Sequence, residues 1–177
     1  MIKNFSCKNF RNVNVNNLKF SRINILIGPN NSGKTNFIKA LSFCADMMNC
    51  SERLIGDSAF QTLVYRHGMG DMFNKFTDDK SKEISMEWKI DLENKKKVKY
   101  NFCFNTGNQL KDFFITRERL DDCCKTSNRK KAFNYFTCNE KQGEGYISKA
   151  VNKGETNARM HFNIPQNDTI LKQFDAS

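Results

Sequence analysis

Side chains that could hold a metal are scarce in this sequence, which has 2 histidines and 7 cysteines among 177 residues. The cysteines stand at positions 7, 44, 50, 103, 123, 124 and 138, with no C-x-x-C spacing, and neither His67 nor His161 lies beside a cysteine pair. A structural zinc site needs four donors at closely paired spacings, so none is expected. An odd number of cysteines without a paired framework also excludes a secreted disulfide scaffold. Reduced thiols in a cytoplasmic protein are expected instead. Long hydrophobic runs are missing as well, and with them any transmembrane helix or contact with a membrane. The first six residues, Met1-Ile2-Lys3-Asn4-Phe5-Ser6, contain one charge and no apolar stretch of the length a secretory signal needs. No internal repeat or low-complexity tract occurs.

What is present suffices for one folded domain. The hydrophobic fraction is 38%, with 16 phenylalanines, which is enough to build a core. The 29 basic and 19 acidic side chains leave a net charge of +10. That excess would suit a nucleic-acid partner. Its densest clusters, Lys95-Lys96-Lys97 and Arg129-Lys130-Lys131, fall in expected turns, where lysines are ordinarily solvated.

The hydrophobic periods divide the chain. Residues 1–28 read as three short strands: 2–10, a second in which Val13, Val15, Leu18 and Phe20 alternate with polar residues, and Ile23-Asn24-Ile25-Leu26-Ile27. The third is nearly continuous and β-branched, so a strand buried on both faces of a parallel sheet is expected there. After the Gly/Pro/Asn cluster at 28–33 the period changes. Phe37, Ile38, Leu41, Cys44, Ala45 and Met48 recur at helical spacing, which predicts a helix over 34–48 with these residues inward. A weaker helix is expected over 58–65, closed by His67-Gly68. From residue 83 a two-residue alternation takes over. Ile84, Met86, Trp88, Ile90 and Leu92 share one face, and Val98, Tyr100, Phe102 and Phe104 repeat it on a return strand after a turn at Asn94-Lys95. Further strands are expected over 112–119, 132–138 and 145–151. The segment 164–174 reads as an N-capped helix just starting. Trp88 and the phenylalanines of these strands are expected in the core, and Cys123-Cys124 as free thiols in a loop.

One motif carries chemistry. Gly28-Pro29-Asn30-Asn31-Ser32-Gly33-Lys34-Thr35 satisfies G-x-x-x-x-G-K-[ST], the phosphate-binding P-loop, with a strand pattern before it and an amphipathic helix after it. Gly28 and Gly33 permit torsions closed to other residues, and Gly33 lets the main chain approach a phosphate. The N–H groups from Asn30 through Asn31, Ser32 and Gly33 to Thr35 would form an anion nest at the positive end of the helix. Lys34 supplies a charge for the β- and γ-phosphate oxygens of a nucleotide, and the Thr35 hydroxyl a ligand for Mg²⁺, without choosing between P-loop enzymes.

The surrounding residues resemble a particular group. Asn9-Phe10-Arg11, two short strands, and then the loop ending Lys34-Thr35-Asn36 look like the N-terminus of ABC-type ATPases of the SMC/RecF/OLD group. The later strands, with Ile115-Thr116-Arg117-Glu118-Arg119-Leu120, are similar to the antiparallel lobe of AAA-type ATPases related to OLD and abortive-infection proteins. The resemblance implies an α/β P-loop NTPase fold, with a mixed sheet, the P-loop helix and an antiparallel β meander. Residues 1–66 would carry the P-loop and helices, 67–163 the β lobe, and 164–177 the start of a helical arm. Arg11 would lie beside the nucleotide, Asn36 would face the α-phosphate, and Lys34 would be the catalytic residue.

The same resemblance marks what is missing. No apolar run of four ends in an acidic pair, as the group's Walker B strand does, and no Leu-Ser-Gly-Gly signature occurs. The glutamine of the group's Q-loop cannot be placed among Gln109, Gln142, Gln166 and Gln173. The chain is therefore expected to be the N-terminal lobe of a longer ATPase. Its partners would be its own C-terminal half and a second ATPase head, with DNA a further candidate and the biological role in DNA maintenance or phage defence. Alone it should bind nucleotide weakly and hydrolyse it negligibly. Two other readings carry less: a nucleotide kinase or GTPase, for which neither lid arginines nor Asn-Lys-x-Asp appear, and a nucleic-acid-binding module with a vestigial loop. A nuclease-linked defence protein with its effector beyond residue 177 is a variant of the main reading.

Overall fold

The computed structural model describes residues 1–49, 59–78, 80, 82–92, 96–106, 109 and 113–123, and the strand backbones at 133–139, 144–148 and 159–163. The expected 164–174 helix, the 94–95 turn, Cys124 and the 129–131 cluster lie outside these residues.

Among the described residues eight strands form one sheet. They are β1 (Ile2–Phe10), β2 (Val13–Lys19), β3 (Glu83–Asp91), β4 (Lys97–Asn105), β5 (Phe114–Asp122), β6 (Phe133–Asn139), β7 (Glu144–Ser148) and β8 (Arg159–Asn163). Their order is β2-β1-β3-β4-β5-β6-β7-β8, and every neighbouring pair is antiparallel. The connection from β2 to β3 carries the P-loop segment, helix α1 (Lys34–Asn49), helix α2 (Ala59–His67) and a single 3₁₀ turn at Met69–Asp71. The mixed sheet expected from the sequence is thus antiparallel throughout its described strands.

The alternation over β3 and β4 sets the register. Ile84 pairs with Phe104, Met86 with Phe102, Trp88 with Tyr100 and Ile90 with Val98. One face is therefore apolar, and Glu83, Ser85, Glu87, Lys99 and Asn101 line the other. Leu92, expected to extend the pattern, follows the end of β3 and is exposed. A bulge interrupts β5, where the pairing jumps from Cys103 with Arg117 to Phe104 with Ile115. The extra residue, Thr116, shifts the alternation by one and turns Glu118 onto the core face beside Phe102. Glu118 is buried there and accepts a 2.8 Å hydrogen bond from the Tyr100 hydroxyl.

Helix α1 covers the apolar face. Phe43 is fully buried, stacked at 8° and 5.5 Å on Phe104, with Phe10 and Phe102 at 6.0 and 6.3 Å. The Trp88 indole donates to the Leu41 carbonyl at 3.0 Å and joins the helix backbone to the sheet. The buried stripe is Ala40, Phe43 and Met47, with Phe37, Leu41 and Cys44 half-buried. Ile38 and Ala45 were expected inward and are exposed. The periodicity was right, but the helix is rolled about its axis, because the Phe43 ring seats between Phe10 and Phe104. Helix α2 adds Phe60, 5.3 Å from Phe104 and 5.8 Å from Phe102.

The largest departure from the sequence reading is at residues 23–27. They form no strand, and Ile23, Ile25, Leu26 and Ile27 are 81, 80, 47 and 87% exposed. A run of this composition is buried on both faces only when strands flank it and layers cover it. Among the described residues the chain brings neither to this segment.

Cys7, Cys44, Cys103 and Cys123 are free thiols. Burial pushes Cys7 and Cys44 up to about 12, so both stay protonated and unreactive at neutral pH.

Candidate phosphate-binding site

The P-loop segment folds as its residue types dictate. Ser32 N–H donates to the Pro29 carbonyl at 3.3 Å, closing a turn. Asn31 and Gly33 follow with φ of 65° and 91°. Asparagine tolerates the left-handed region and glycine enters it freely. Helix α1 then starts at Lys34, its first bond running from Phe37 N–H to the Gly33 carbonyl at 2.8 Å. The first turn holds no acidic side chain, so the positive end of the helix is not neutralised.

An open cavity of about 600 Å³ lies over this helix end, lined by Asn30, Asn31, Gly33, Lys34, Thr35 and Asn36. Five of these belong to the motif, and the sixth, Asn36, is the residue that the resemblance adds after it. Gly28, Ser32 and Arg11 are not part of the lining. Lys34 folds back across its own loop, and its ammonium group donates to the Gly28 carbonyl at 2.7 Å, the Pro29 carbonyl at 2.5 Å and Ser32 Oγ at 3.3 Å. A phosphate oxygen entering the nest would take over these donors. Thr35 is exposed on the same turn. Among the described residues no three His, Cys, Asp or Glu side chains gather to hold a metal ion. A hydroxyl at a phosphate nest fits Mg²⁺, which keeps its waters and binds phosphate oxygens in preference to an all-protein cage.

Behind the loop stands the turn between β1 and β2. Asn9 and Arg11 both have left-handed torsions, with φ of 64° and 53°. For a non-glycine residue this costs about 1–2 kcal/mol, and hydrogen bonds hold the turn against it. Asn9 N–H donates to Asn14 Oδ1 at 2.9 Å, its side-chain amide donates to the Glu83 carbonyl at 3.0 Å, and Arg11 N–H donates to the Met72 carbonyl at 2.6 Å. The Arg11 guanidinium donates to Asn36 Oδ1 at 3.3 Å and to the His67 carbonyl at 2.8 Å, while its Nε is buried without a partner. The Asn36 amide donates to Asn12 Oδ1 at 2.9 Å. A Cβ on Gly33 would stand 2.7 Å from the Asn12 amide nitrogen, so the place of that missing side chain is filled by Asn12. No motif in the sequence marks Asn12 or His67 as part of the site. An asparagine-rich break between two strands was the available signal for the turn, but its partners lie far along the chain.

His67 ends α2, its ring 5.7 Å from Phe43 and 6.2 Å from Phe10. Burial lowers its pKa below the ordinary 6.5, and the Arg11 and Lys39 cations push the same way against Asp46. The unfolded chain therefore takes up a proton at a higher pH than the native one. The resulting stabilisation is complete above pH 6.5 and is lost as pH falls below it. Thermal melts between pH 7.5 and 5 should show the melting temperature falling on the acid side, with a shallower fall in His67→Gln; equal slopes would refute the assignment.

Lys96 and Lys97, the described part of the 95–97 cluster, are exposed at the start of β4, away from the P-loop in sequence. No described helix is long and apolar enough to cross a membrane.

Residues 23–137 match a family model described as "AAA domain, putative AbiEii toxin, Type IV TA system". The match begins at the exposed apolar run, takes in the P-loop and both helices, and ends in β6. Neither the curated proteins nor the solved structures include a match.

Proposed function

The chain belongs to this AAA-domain family, and from that premise we propose that it is the ATP-binding portion of a longer ABC-type ATPase of the SMC/RecF/OLD-like kind, with a P-loop NTPase core, acting in DNA maintenance or phage defence. The observation that carries the reading is the phosphate nest. Left-handed Asn31 and Gly33 open onto a helix end free of acidic side chains, with the Lys34 ammonium directly over the loop. In this reading the amides from Asn30 to Thr35 would hold the β-phosphate, Lys34 would move from its loop carbonyls to the β- and γ-phosphates, and the Thr35 hydroxyl would be a ligand for Mg²⁺. Asn36 would face the α-phosphate, with Arg11 beside the nucleotide and bonded to Asn36. When bound, Mg²⁺ neutralises charge on the phosphates. Hydrolysis awaits an acidic residue and a signature loop from the C-terminal half and a second head.

The exposed run at 23–27 supports the need for that other half. Isoleucines about 80% exposed, on a segment with strand composition and no strand partner among the described residues, suit a strand that the C-terminal half completes. Ile25→Asp should leave the melting temperature of this chain nearly unchanged, within about 0.5 kcal/mol of stability, because the side chain is already in water. The same change should abolish capture of the separately expressed C-terminal half. A large loss of stability, or undiminished capture, would refute this pairing.

Calorimetric titration of MgATP tests the main reading. Binding should be detectable, weak and Mg²⁺-dependent. Salt-sensitive DNA binding indifferent to ATP, with no nucleotide heat, would favour the alternative of a nucleic-acid module with a vestigial loop.

A further inference from the structure

The turn at residues 9–12 touches two things at once. On one side it meets the phosphate loop, where the Asn12 amide fills the place of a Gly33 side chain and Asn12 Oδ1 accepts from Asn36. On the other it holds the end of α2 and the segment after it. Arg11 donates through its side chain to the His67 carbonyl and through its backbone to the Met72 carbonyl, and the Asn9 carbonyl accepts from Asn74 N–H at 2.8 Å. Phe10 also forms an antiparallel bridge with Phe73. Asn36 Oδ1 accepts from Arg11 and so links the two sides.

We infer that this turn is a coupling element: the phosphate loop and the 67–74 segment are ordered together through the chain Gly33–Asn12–Asn36–Arg11–His67 carbonyl, so that whatever seats a phosphate at the loop also tightens the end of α2. Three observations carry it. The contacts form an unbroken series of side chains from one site to the other, the kind of physical path along which two sites can share free energy. Asn9 and Arg11 are held in left-handed torsions, and such strain persists where surrounding contacts determine it. The buried Arg11 Nε has no partner, so the guanidinium is placed by Asn36 and the His67 carbonyl and not by full satisfaction of its own donors. The 67–74 segment has little regular structure of its own beyond the turn at Met69–Asp71. Its amides at Gly68, Asp71 and Asn74 bond to Tyr65, Gly68 and Asn9 carbonyls, and only the last leads to the sheet. Met72 is buried in the core, so the segment is anchored by that side chain and by its bonds to the turn, and its amides report on the anchor. Arg11, Asn12 and Asn36 act here as positioning residues. The identity of the ligand rests on the nucleotide reading; the coupling itself does not.

Hydrogen exchange at amides 68–74 tests it in two arms. In the nucleotide-free chain, Asn36→Ala should speed exchange there by roughly three- to tenfold, with β3 and β4 unchanged. No change at 68–74 would overturn the coupling. If Asn36→Ala speeds exchange everywhere, Arg11→Lys decides, since it keeps the cation but cannot reach Asn36 and the His67 carbonyl together. A rise confined to 68–74 supports the coupling, and a uniform rise overturns it. In the second arm, saturating MgADP should slow exchange at 68–74 in the unmodified chain, as reciprocal linkage requires. Calorimetric MgADP binding without that slowing would overturn the inference. Absence of MgADP binding would count against the nucleotide reading alone, with the first arm still deciding the coupling.

Discussion

Lys34→Ala is expected to weaken MgATP binding by roughly 30- to 150-fold, the consequence of losing charge-assisted hydrogen bonds worth about 2–3 kcal/mol. The loss is large because the substituted side chain is the cation that stands over the loop, 2.7 Å from the Gly28 carbonyl and 3.3 Å from Ser32 Oγ. Reaching the phosphates means giving up those bonds. They are bonds to neutral groups near water, so exchanging them for phosphate oxygens is favourable. The fold should be indifferent to the change. Lys34 opens an α-helix, where alanine is at least as favourable, and its partners are loop carbonyls that water can reach. Parallel calorimetric titrations of the two proteins, with thermal melts as control, make the comparison. Lys34→Arg should not rescue binding, since the planar guanidinium cannot take the place of a compact ammonium group in a tight loop. Equal affinities for Lys34→Ala and the unmodified chain would exclude the P-loop as the binding element.

Phe43→Ala is expected to remove about 3–5 kcal/mol of stability. For a chain of this length that lowers the melting temperature by roughly 6–20 °C. Phe43 is fully buried, and Phe10, Phe102, Phe104 and His67 surround it. The rings come from β1, from β4 and from the end of α2, so they cannot all collapse into the void without moving the sheet and helix apart. The same cavity would loosen α1, whose first turn lines the candidate phosphate site. Urea unfolding of Phe43→Ala beside Ile38→Ala separates packing from helix propensity. Ile38 is 53% exposed and its truncation should cost less than about 1 kcal/mol. Comparable losses for the two would mean that the helix is rolled the other way, as the spacing of the apolar residues alone suggested.

These two positions show how unevenly the molecule can be read. Lys34 was legible because the P-loop is a local device: eight consecutive residues determine the turn, the positive φ at Gly33 and the start of the helix. The start of α1 and the alternation of β3 and β4 were legible for the same reason, since periods of 3.6 and 2 act over a few neighbours. The rotation of α1 was not, because Ile38 and Phe43 are both apolar and only the rings opposite decide which is buried. Thr116 likewise broke the alternation without a local sign, turning Glu118 inward. The pairing of Arg11 with Asn36 and with the His67 carbonyl spans 25 and 56 residues, beyond the reach of any pattern read along the chain.

By itself, then, the sequence determined the turn of the P-loop motif, its helix and the alternation of the strands, because torsional preference and hydrophobic period are properties of neighbouring residues. Only the tertiary structure decided that the apolar run at 23–27 stands in water, that α1 turns Phe43 and not Ile38 inward, and that the β1–β2 turn joins the phosphate loop to the end of α2. Burial and long-range hydrogen bonds depend on what the folded chain brings alongside, and no residue carries that information alone.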